Sequence, residues 1–176
     1  MAMTQPGMFL VPRLLVMRVG GWDERLSLID DFEFFARIIV HSGGVRFAPQ
    51  ARLYYRSGIE GSLSGRKSRD AVESAFLSIS LGTQHLLDAE ESRRTRRACA
   101  NIFQSFDYEH YPHHADLRVK VRRRVTELGG SDLAPIGPPR FQQLRKLVGW
   151  RAARRLQQVA HRGAPWVFGP AAWWYD

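Results

Sequence analysis

The sequence predicts a mixed α/β fold, with short strands and a buried helix in its first third and helices after that. A short apolar run at residues 8–11 lies between Gly7 and Pro12, which is typical of a buried strand. Residues 45–49 and 52–56 alternate or cluster as two further short strands joined by a turn. In the rest of the chain the apolar residues recur at helical spacing.

Six helices are predicted around and after these strands. Residues 13–19 form the first, and the glycine pair that follows supplies its C-terminal cap. Residues 30–42 form a central helix that is apolar on nearly all sides, so we expect it to be buried beneath other elements. The later helices are expected at residues 68–87, 91–106, 117–128 and 141–160.

We expect three segments: the strands and the central helix in residues 1–66, a helical extension in 67–130, and a last part in 131–176. This last part combines a Pro/Gly linker, a basic amphipathic helix and an aromatic tail.

Charge is distributed unevenly along the chain. The 176 residues carry a formal net charge of +9, with Lys and Arg concentrated beyond Ser92. This asymmetry indicates an anionic partner for the C-terminal part: phospholipid head groups, nucleic acid or polyphosphate. The single cysteine, Cys99, excludes an internal disulfide and suits a reducing compartment. We therefore expect a cytoplasmic protein, with peripheral attachment at the inner face of the membrane as an extension of that expectation.

The most informative stretch reads VGGWDE at residues 19–24 and IDDFEFFAR at residues 29–37. A glycine pair permits a tight turn, and a helix that begins on two acidic residues places carboxylates at the positive end of its dipole. Asp30 and Glu33 have the spacing of a capping box, which by itself is a purely structural explanation. Because Asp31 points about 100° away from Asp30, we expect Asp30 to cap the helix and Asp31 to face a cleft.

This stretch resembles the second half of the catalytic domain of family 2 glycosyltransferases, which have the GT-A fold. Residues 54–64, YYRSGIEGSLS, are similar to the segment that closes that domain over the donor diphosphate. The histidine usual there, often a metal ligand, is replaced by SGIE at residues 57–60. The resemblance implies transfer of a sugar from a nucleotide-sugar to a hydroxyl acceptor with inversion. It assigns the catalytic general base to Asp31 and substrate-binding roles to Trp22, Asp23, Glu24, Asp30, Arg56, Ser62 and Ser64.

The resemblance covers residues 7–64, whereas the donor-binding half of the family precedes this part and ends in an Asp-x-Asp metal motif. No Asp-x-Asp triplet occurs in the chain. We therefore expect an N-terminally truncated fragment that is inactive alone. Complementation by a separately encoded N-terminal half, and a repurposed chain, are the alternatives. The divalent metal of the family, Mg²⁺ or Mn²⁺, is not expected to bind this chain alone.

A non-enzymatic alternative is a helical module that binds an anionic surface. Residues 141–160 combine an apolar stripe with basic residues, the pattern either of a membrane-interface helix or of a helix packed on its own domain. The aromatic residues Trp166, Trp173 and Trp174 favour a lipid surface over nucleic acid. Histidines 110, 113 and 114 are ligand types, but Pro112 interrupts any helical placement, so we expect no metal site there.

Overall fold

The computed structural model describes residues 6–54 and 68–163. In these ranges the regular structure is helical, and no helix is long and apolar enough to cross a membrane. A 3₁₀ turn at Pro6–Met8 is followed by six α-helices: α1 Arg13–Val19, α2 Asp30–Val40, α3 Arg69–Ala89, α4 Arg93–His110, α5 Ala115–Glu127 and α6 Pro139–Gly163. The chain divides into two compact units, residues 1–99 and 100–176.

The predicted mixed α/β fold is wrong for the described residues, because they contain no strand. The run at 8–11 leaves the 3₁₀ turn as irregular backbone, and residues 45–48 and 51–54 are irregular as well. Residues 55 and 56 of the last expected strand lie outside the described ranges. A strand is stable only when its backbone N–H and C=O groups pair with a neighbour, and an apolar pattern does not supply one. Most apolar side chains of these segments are accordingly exposed, Phe47 to 87%, whereas Phe9 and Val11 are partly buried.

Within the described ranges, the six predicted helices are confirmed, and their bounds lie within a few residues of the predicted ones. In the first unit α2 packs against α3, and α1 lies against α2. The expected all-round burial of α2 is only partly met: Phe34, Ala36 and Ile38 are buried, whereas Ile39 is exposed. Facing them, α3 contributes small and β-branched side chains to the core: Ala71, Val72, Ala75 and Ile79. Small residues on α3 allow the two helix axes to approach closely.

The second unit is built on the apolar stripe of α5. Its four members, spaced three or four residues apart, are all buried: Leu117, Val121, Val125 and Leu128. Beside the stripe, the buried Asp107 of α4 accepts hydrogen bonds from Arg118 at 2.8 Å and from Arg122 at 3.2 Å. The Arg118 guanidinium also lies 4.5 Å from the ring centroid of Tyr111. A buried carboxylate therefore holds two of the many basic side chains of α5.

Helix α6 is interrupted at Gly149, whose φ of 77° is outside the helical region. Among residues 139–160 of this helix, Phe141, Ala153 and Gln157 are buried, while Val148, Leu156 and Val159 of the expected apolar stripe are exposed. The break at Gly149 changes the direction of the second half, so a single stripe drawn over residues 141–160 does not follow one face.

Candidate functional site

The site is built around the turn that follows α1. Gly20 has a φ of 94°, a backbone conformation that residues with a Cβ rarely adopt. The guanidinium of Arg37 donates hydrogen bonds to three carbonyl oxygens of the turn: Val19 at 2.6 Å, Gly20 at 3.1 Å and Gly21 at 2.8 Å. One arginine of α2 therefore satisfies the carbonyl groups left open where α1 ends.

Glu33 fixes this arginine in place. Its carboxylate accepts from Nε of Arg37 at 2.8 Å and lies 3.1 Å from Nε2 of His85 on α3. The Glu33 side chain is only 4% exposed. Burial raises the pKa of Glu33, but the hydrogen bonds from Arg37 and His85 outweigh it and leave that pKa below its ordinary value. The network joins α2, α3 and the glycine turn through one buried anion.

The expected capping box does not form. Ile29 is the N-cap of α2, and no side chain makes a cap hydrogen bond there. Asp30 is the first residue of the helix, and Glu33 is committed to Arg37 and His85. The spacing of Asp30 and Glu33 was compatible with a capping box, but a buried cation offers Glu33 a stronger charge-assisted partner than a backbone amide.

Trp22 is anchored by aromatic contacts. Its ring stacks on Phe34 with centroids 4.2 Å apart and meets Phe35 edge-on at 6.0 Å. Phe9 stacks on Phe35 in turn, so the irregular N-terminal segment is attached to the same helix. The Trp22 side chain remains 44% exposed, which leaves an amphipathic ring at the surface in a fixed orientation.

Asp23 and Glu24 follow Trp22 but differ from each other in their contacts. The carboxylate of Asp23 is held by the guanidinium of Arg25, with Nη2 to Oδ2 at 2.6 Å. Hydrogen bonds from the side chain and backbone of Arg25 lower the pKa of Asp23 to about 2. Asp23 is therefore a fixed anion that is unsuited to accept a proton at neutral pH. Glu24 lies exposed in the turn.

Asp31 has the opposite electrostatic character. It is partly buried in the first turn of α2, and burial raises its pKa, with a further contribution from the neighbouring charge of Asp30. Backbone N–H groups of Phe32 and Asp31 act against this rise without cancelling it. A carboxylate with a raised pKa is a stronger base than an ordinary one, as proton abstraction requires. Asp31 is the residue of this stretch best suited to take a proton.

The residue before the acidic pair is strained. Ile29 has φ 57° and ψ 25°, the left-handed region, which is a rare conformation for a β-branched residue. Such strain persists only when surrounding contacts impose it, and it concentrates at functional sites. Here it directs the chain into α2 immediately before Asp30 and Asp31.

The predicted site residues are thus brought together only in part. Trp22 contacts α2, and Asp30 and Asp31 belong to it, whereas Asp23 and Glu24 lie in the turn that follows the residues bound by Arg37. Arg56, Ser62 and Ser64 lie outside the described residues. His85, Ser74 and Ser78 were not identified from the sequence, because they are 45 or more positions from the residues they contact. Polar residues on an otherwise buried helix face were the one available signal.

The resemblance assigns the family's divalent metal to the donor-binding half and not to this chain, and nothing in the structure tests that expectation. Among residues 6–54 and 68–163, no group of three His, Cys, Asp or Glu side chains could hold a metal ion. In the acidic stretch, the carboxylate of Asp23 is occupied by Arg25. Elsewhere, burial lowers the pKa of His110 to about 4, with smaller contributions from His114 and Arg118. We therefore derive no chemical step through a metal.

Comparison of the chain with models of known protein families, with curated proteins and with solved structures found no match.

Proposed function

We propose that the chain contributes the acceptor side of an inverting sugar transfer from a nucleotide-sugar, with Asp31 as the general base. The observation that carries the proposal is the partly buried Asp31 carboxylate with its raised pKa, at the start of a helix held by the Glu33 network. This role depends on the chemistry of these side chains and not on the mixed α/β fold, because function is carried by sites.

In this reaction Asp31 accepts the proton of the acceptor hydroxyl while that oxygen attacks the sugar carbon and the nucleotide leaves. A positioned base of this kind accelerates a reaction by about 10²–10⁴-fold. The negative charge of Asp30 contributes to the raised pKa of Asp31 and so to its basicity. Trp22 presents the exposed part of its ring as an acceptor-binding surface. Binding of the donor is assigned to a partner polypeptide.

The test compares two neighbouring carboxylates. The tagged chain is purified with its partners from its native host, and nucleotide release from UDP-, GDP- and TDP-sugars is measured for Asp31→Asn and for the matched control Asp30→Asn. We expect Asp31→Asn to lower turnover about 10²–10⁴-fold, and Asp30→Asn, which removes only the smaller cause of the raised Asp31 pKa, to lower it much less. Full turnover in Asp31→Asn, or equal losses in both variants, would refute the assignment.

Donor binding is tested separately on the isolated chain. Titration calorimetry with the same nucleotide-sugars should detect weak binding or none. Micromolar affinity would contradict the assignment of the donor site to a partner.

A second function, binding to an anionic membrane surface, is supported by α6. In the half of α6 before Gly149, Leu147 is 83% exposed and Val148 is 47% exposed, and the basic residues Arg140 and Lys146 of that half are exposed as well. Apolar side chains left in solvent next to basic ones are the pattern of a helix that lies in a lipid interface. The exposed apolar residues favour a lipid surface over duplex DNA, because a basic face alone would suffice to bind DNA.

A single substitution tests this second function without removing the buried Phe141 from the core of its unit. Leu147→Asp should abolish sedimentation with phosphatidylserine vesicles at physiological salt. Val119→Asp on α5, another exposed apolar residue, is the control for the added charge and should retain binding. Equal binding by Leu147→Asp and the unmodified chain would exclude α6 as the membrane contact. Tight binding of duplex DNA would favour nucleic acid instead.

A further inference from the structure

One face of α3 is directed at the segment that carries the acidic pair. Ser74, Ser78, Gly82 and His85 are spaced by four, four and three residues, so they lie along one side of the helix. Each of them contacts the loop before α2 or the first turn of α2. All of this helix lies outside residues 7–64, over which the sequence resembles a known family.

Ser74 holds the loop by accepting hydrogen bonds. Its hydroxyl oxygen accepts from the backbone N–H of Ser27 at 2.7 Å and from that of Leu28 at 3.1 Å. Ser74 is 7% exposed, and both of these hydrogen bonds are partly buried. Backbone N–H groups in such surroundings need a partner, and one side chain of α3 supplies it to two successive residues.

Ser78 holds the next residue by donating. Its hydroxyl donates to the carbonyl oxygen of Ile29 at 2.5 Å, and the same carbonyl accepts the N–H of Phe32 as the first turn of α2 closes. Ser78 is completely buried. Its bond therefore fixes the peptide group of the strained Ile29, the point from which the chain enters the acidic pair.

The next two positions bring α2 close to α3. A Cβ on Gly82 would lie 2.5 Å from Cε1 of Phe32, so only glycine permits this approach. His85 then reaches the buried Glu33. Contacts of α3 with this segment therefore extend from residue 27 to residue 33.

Two other hydroxyl residues of α3 differ from Ser74 and Ser78 in the groups to which their hydroxyls bond. Ser80 donates to Phe76 of its own helix, and Thr83 donates to Ile79, the usual behaviour of these residues inside helices. Ser74 and Ser78 direct their hydroxyl groups to backbone groups 46 to 49 residues away in the chain. Helix packing alone does not require such bonds, since apolar neighbours on α3 already form the core.

We propose that Ser74 and Ser78 are positioning residues, which hold residues 27–29 so that Asp31 is kept partly buried at the start of α2. The importance of this placement for catalysis rests on the proposed function, whereas the placement itself does not. Loss of either bond should let the loop open and bring water to the Asp31 carboxylate.

The test uses the full chain and two NMR measurements that need no substrate. Ser74→Ala should accelerate hydrogen exchange at the amides of Ser27 and Leu28 at least tenfold. Ser78→Ala should lower the pKa of the Asp31 carboxyl towards its ordinary value, because burial, the main cause of the elevation, is reduced. Resonances of Asp31 are assigned with Asp31→Asn.

Ser80→Ala is the matched control, because it removes a hydroxyl of the same helix that bonds within α3. It should change neither measurement, and Ser74→Thr should restore slow exchange. If Ser78→Ala does not fold, Ser78→Cys keeps the volume with a weaker donor and replaces it. Exchange rates and an Asp31 titration unchanged from those of Ser80→Ala would overturn the proposal. If the NMR changes appear while Asp31→Asn retains full turnover, the positioning stands and the sugar-transfer role fails.

Discussion

Replacing Glu33 with glutamine is the sharpest test of the network that supports the candidate site. The substitution keeps the shape of the side chain and one acceptor oxygen but removes its charge. Arg37 then loses the carboxylate that holds its guanidinium against Val19, Gly20 and Gly21. We expect the turn and α2 to open more often as a result.

The magnitude follows from burial. The side chains of Glu33 and Arg37 are 4% and 14% exposed, so solvent screens their interaction only slightly. Removing one partner of a buried ion pair costs about 3–5 kcal/mol, since the other charge stays behind. Glutamine retains one oxygen, and Arg37 retains its three carbonyl partners, which reduces the cost to about 2 kcal/mol. At 1.4 kcal/mol per factor of ten, the open state of this region becomes about 30-fold more populated.

Hydrogen exchange measured by mass spectrometry detects this change in peptides that cover residues 19–40. Exchange through local opening should accelerate about 30-fold in Glu33→Gln. Glu73→Gln is the matched control, because the Arg69–Glu73 pair has the same spacing but side chains that are 46% and 51% exposed, so its loss should cost under about 0.5 kcal/mol. Equal exchange in the two variants would refute the view that Glu33 supports the turn.

Three further variants test the energetics of the two units. Asp31→Asn should raise the urea midpoint at pH 7, because the raised pKa of Asp31 means that folding disfavours its charged form. This gain should vanish below the unfolded pKa of 3.8, where the carboxyl is protonated in both states. Asp23→Asn should lower the midpoint at pH 7, because the pKa of Asp23 is lowered by folding. Gly82→Ala should lower the free energy of unfolding by about 1–2 kcal/mol, since overpacking against Phe32 exceeds the gain in helix propensity. Asp107→Asn should cost about 3 kcal/mol in thermal unfolding, because it leaves buried arginine charge behind.

The helices were predictable because the pattern that specifies them is local. The stripe of α5 is complete within residues 117–128, where Leu128 is the C-cap, and each of its four members is buried as expected. The strands were wrongly predicted for the described residues, because a strand depends on a partner that the local pattern does not identify. Phe47 satisfies the alternation expected of a strand, yet it lies exposed on irregular backbone.

The candidate site, too, was predictable only where its residues are close together in the sequence. The acidic pair and the glycine turn were identified from adjacent residues, and Arg37 is the last residue of the same stretch. Its three bonds to the turn could not be predicted, because they span 16 to 18 residues. Contacts from Ser74 and His85 reach even further along the chain. Neither the glycines nor the acidic residues indicate which helix will face them.

The purely structural explanation of the acidic pair can be weighed against these contacts. A carboxylate that served mainly to stabilise the positive end of a helix would have a lowered pKa, since the dipole and the backbone N–H groups favour its charged form. For Asp31 these groups are present, but burial and Asp30 outweigh them, so the pKa is raised. The fold therefore disfavours the charge of Asp31 at the position where helix capping should favour it. We therefore prefer the proposed role of Asp31 in proton transfer, with Ile29 and the two serines as its proposed positioning residues, to helix capping alone.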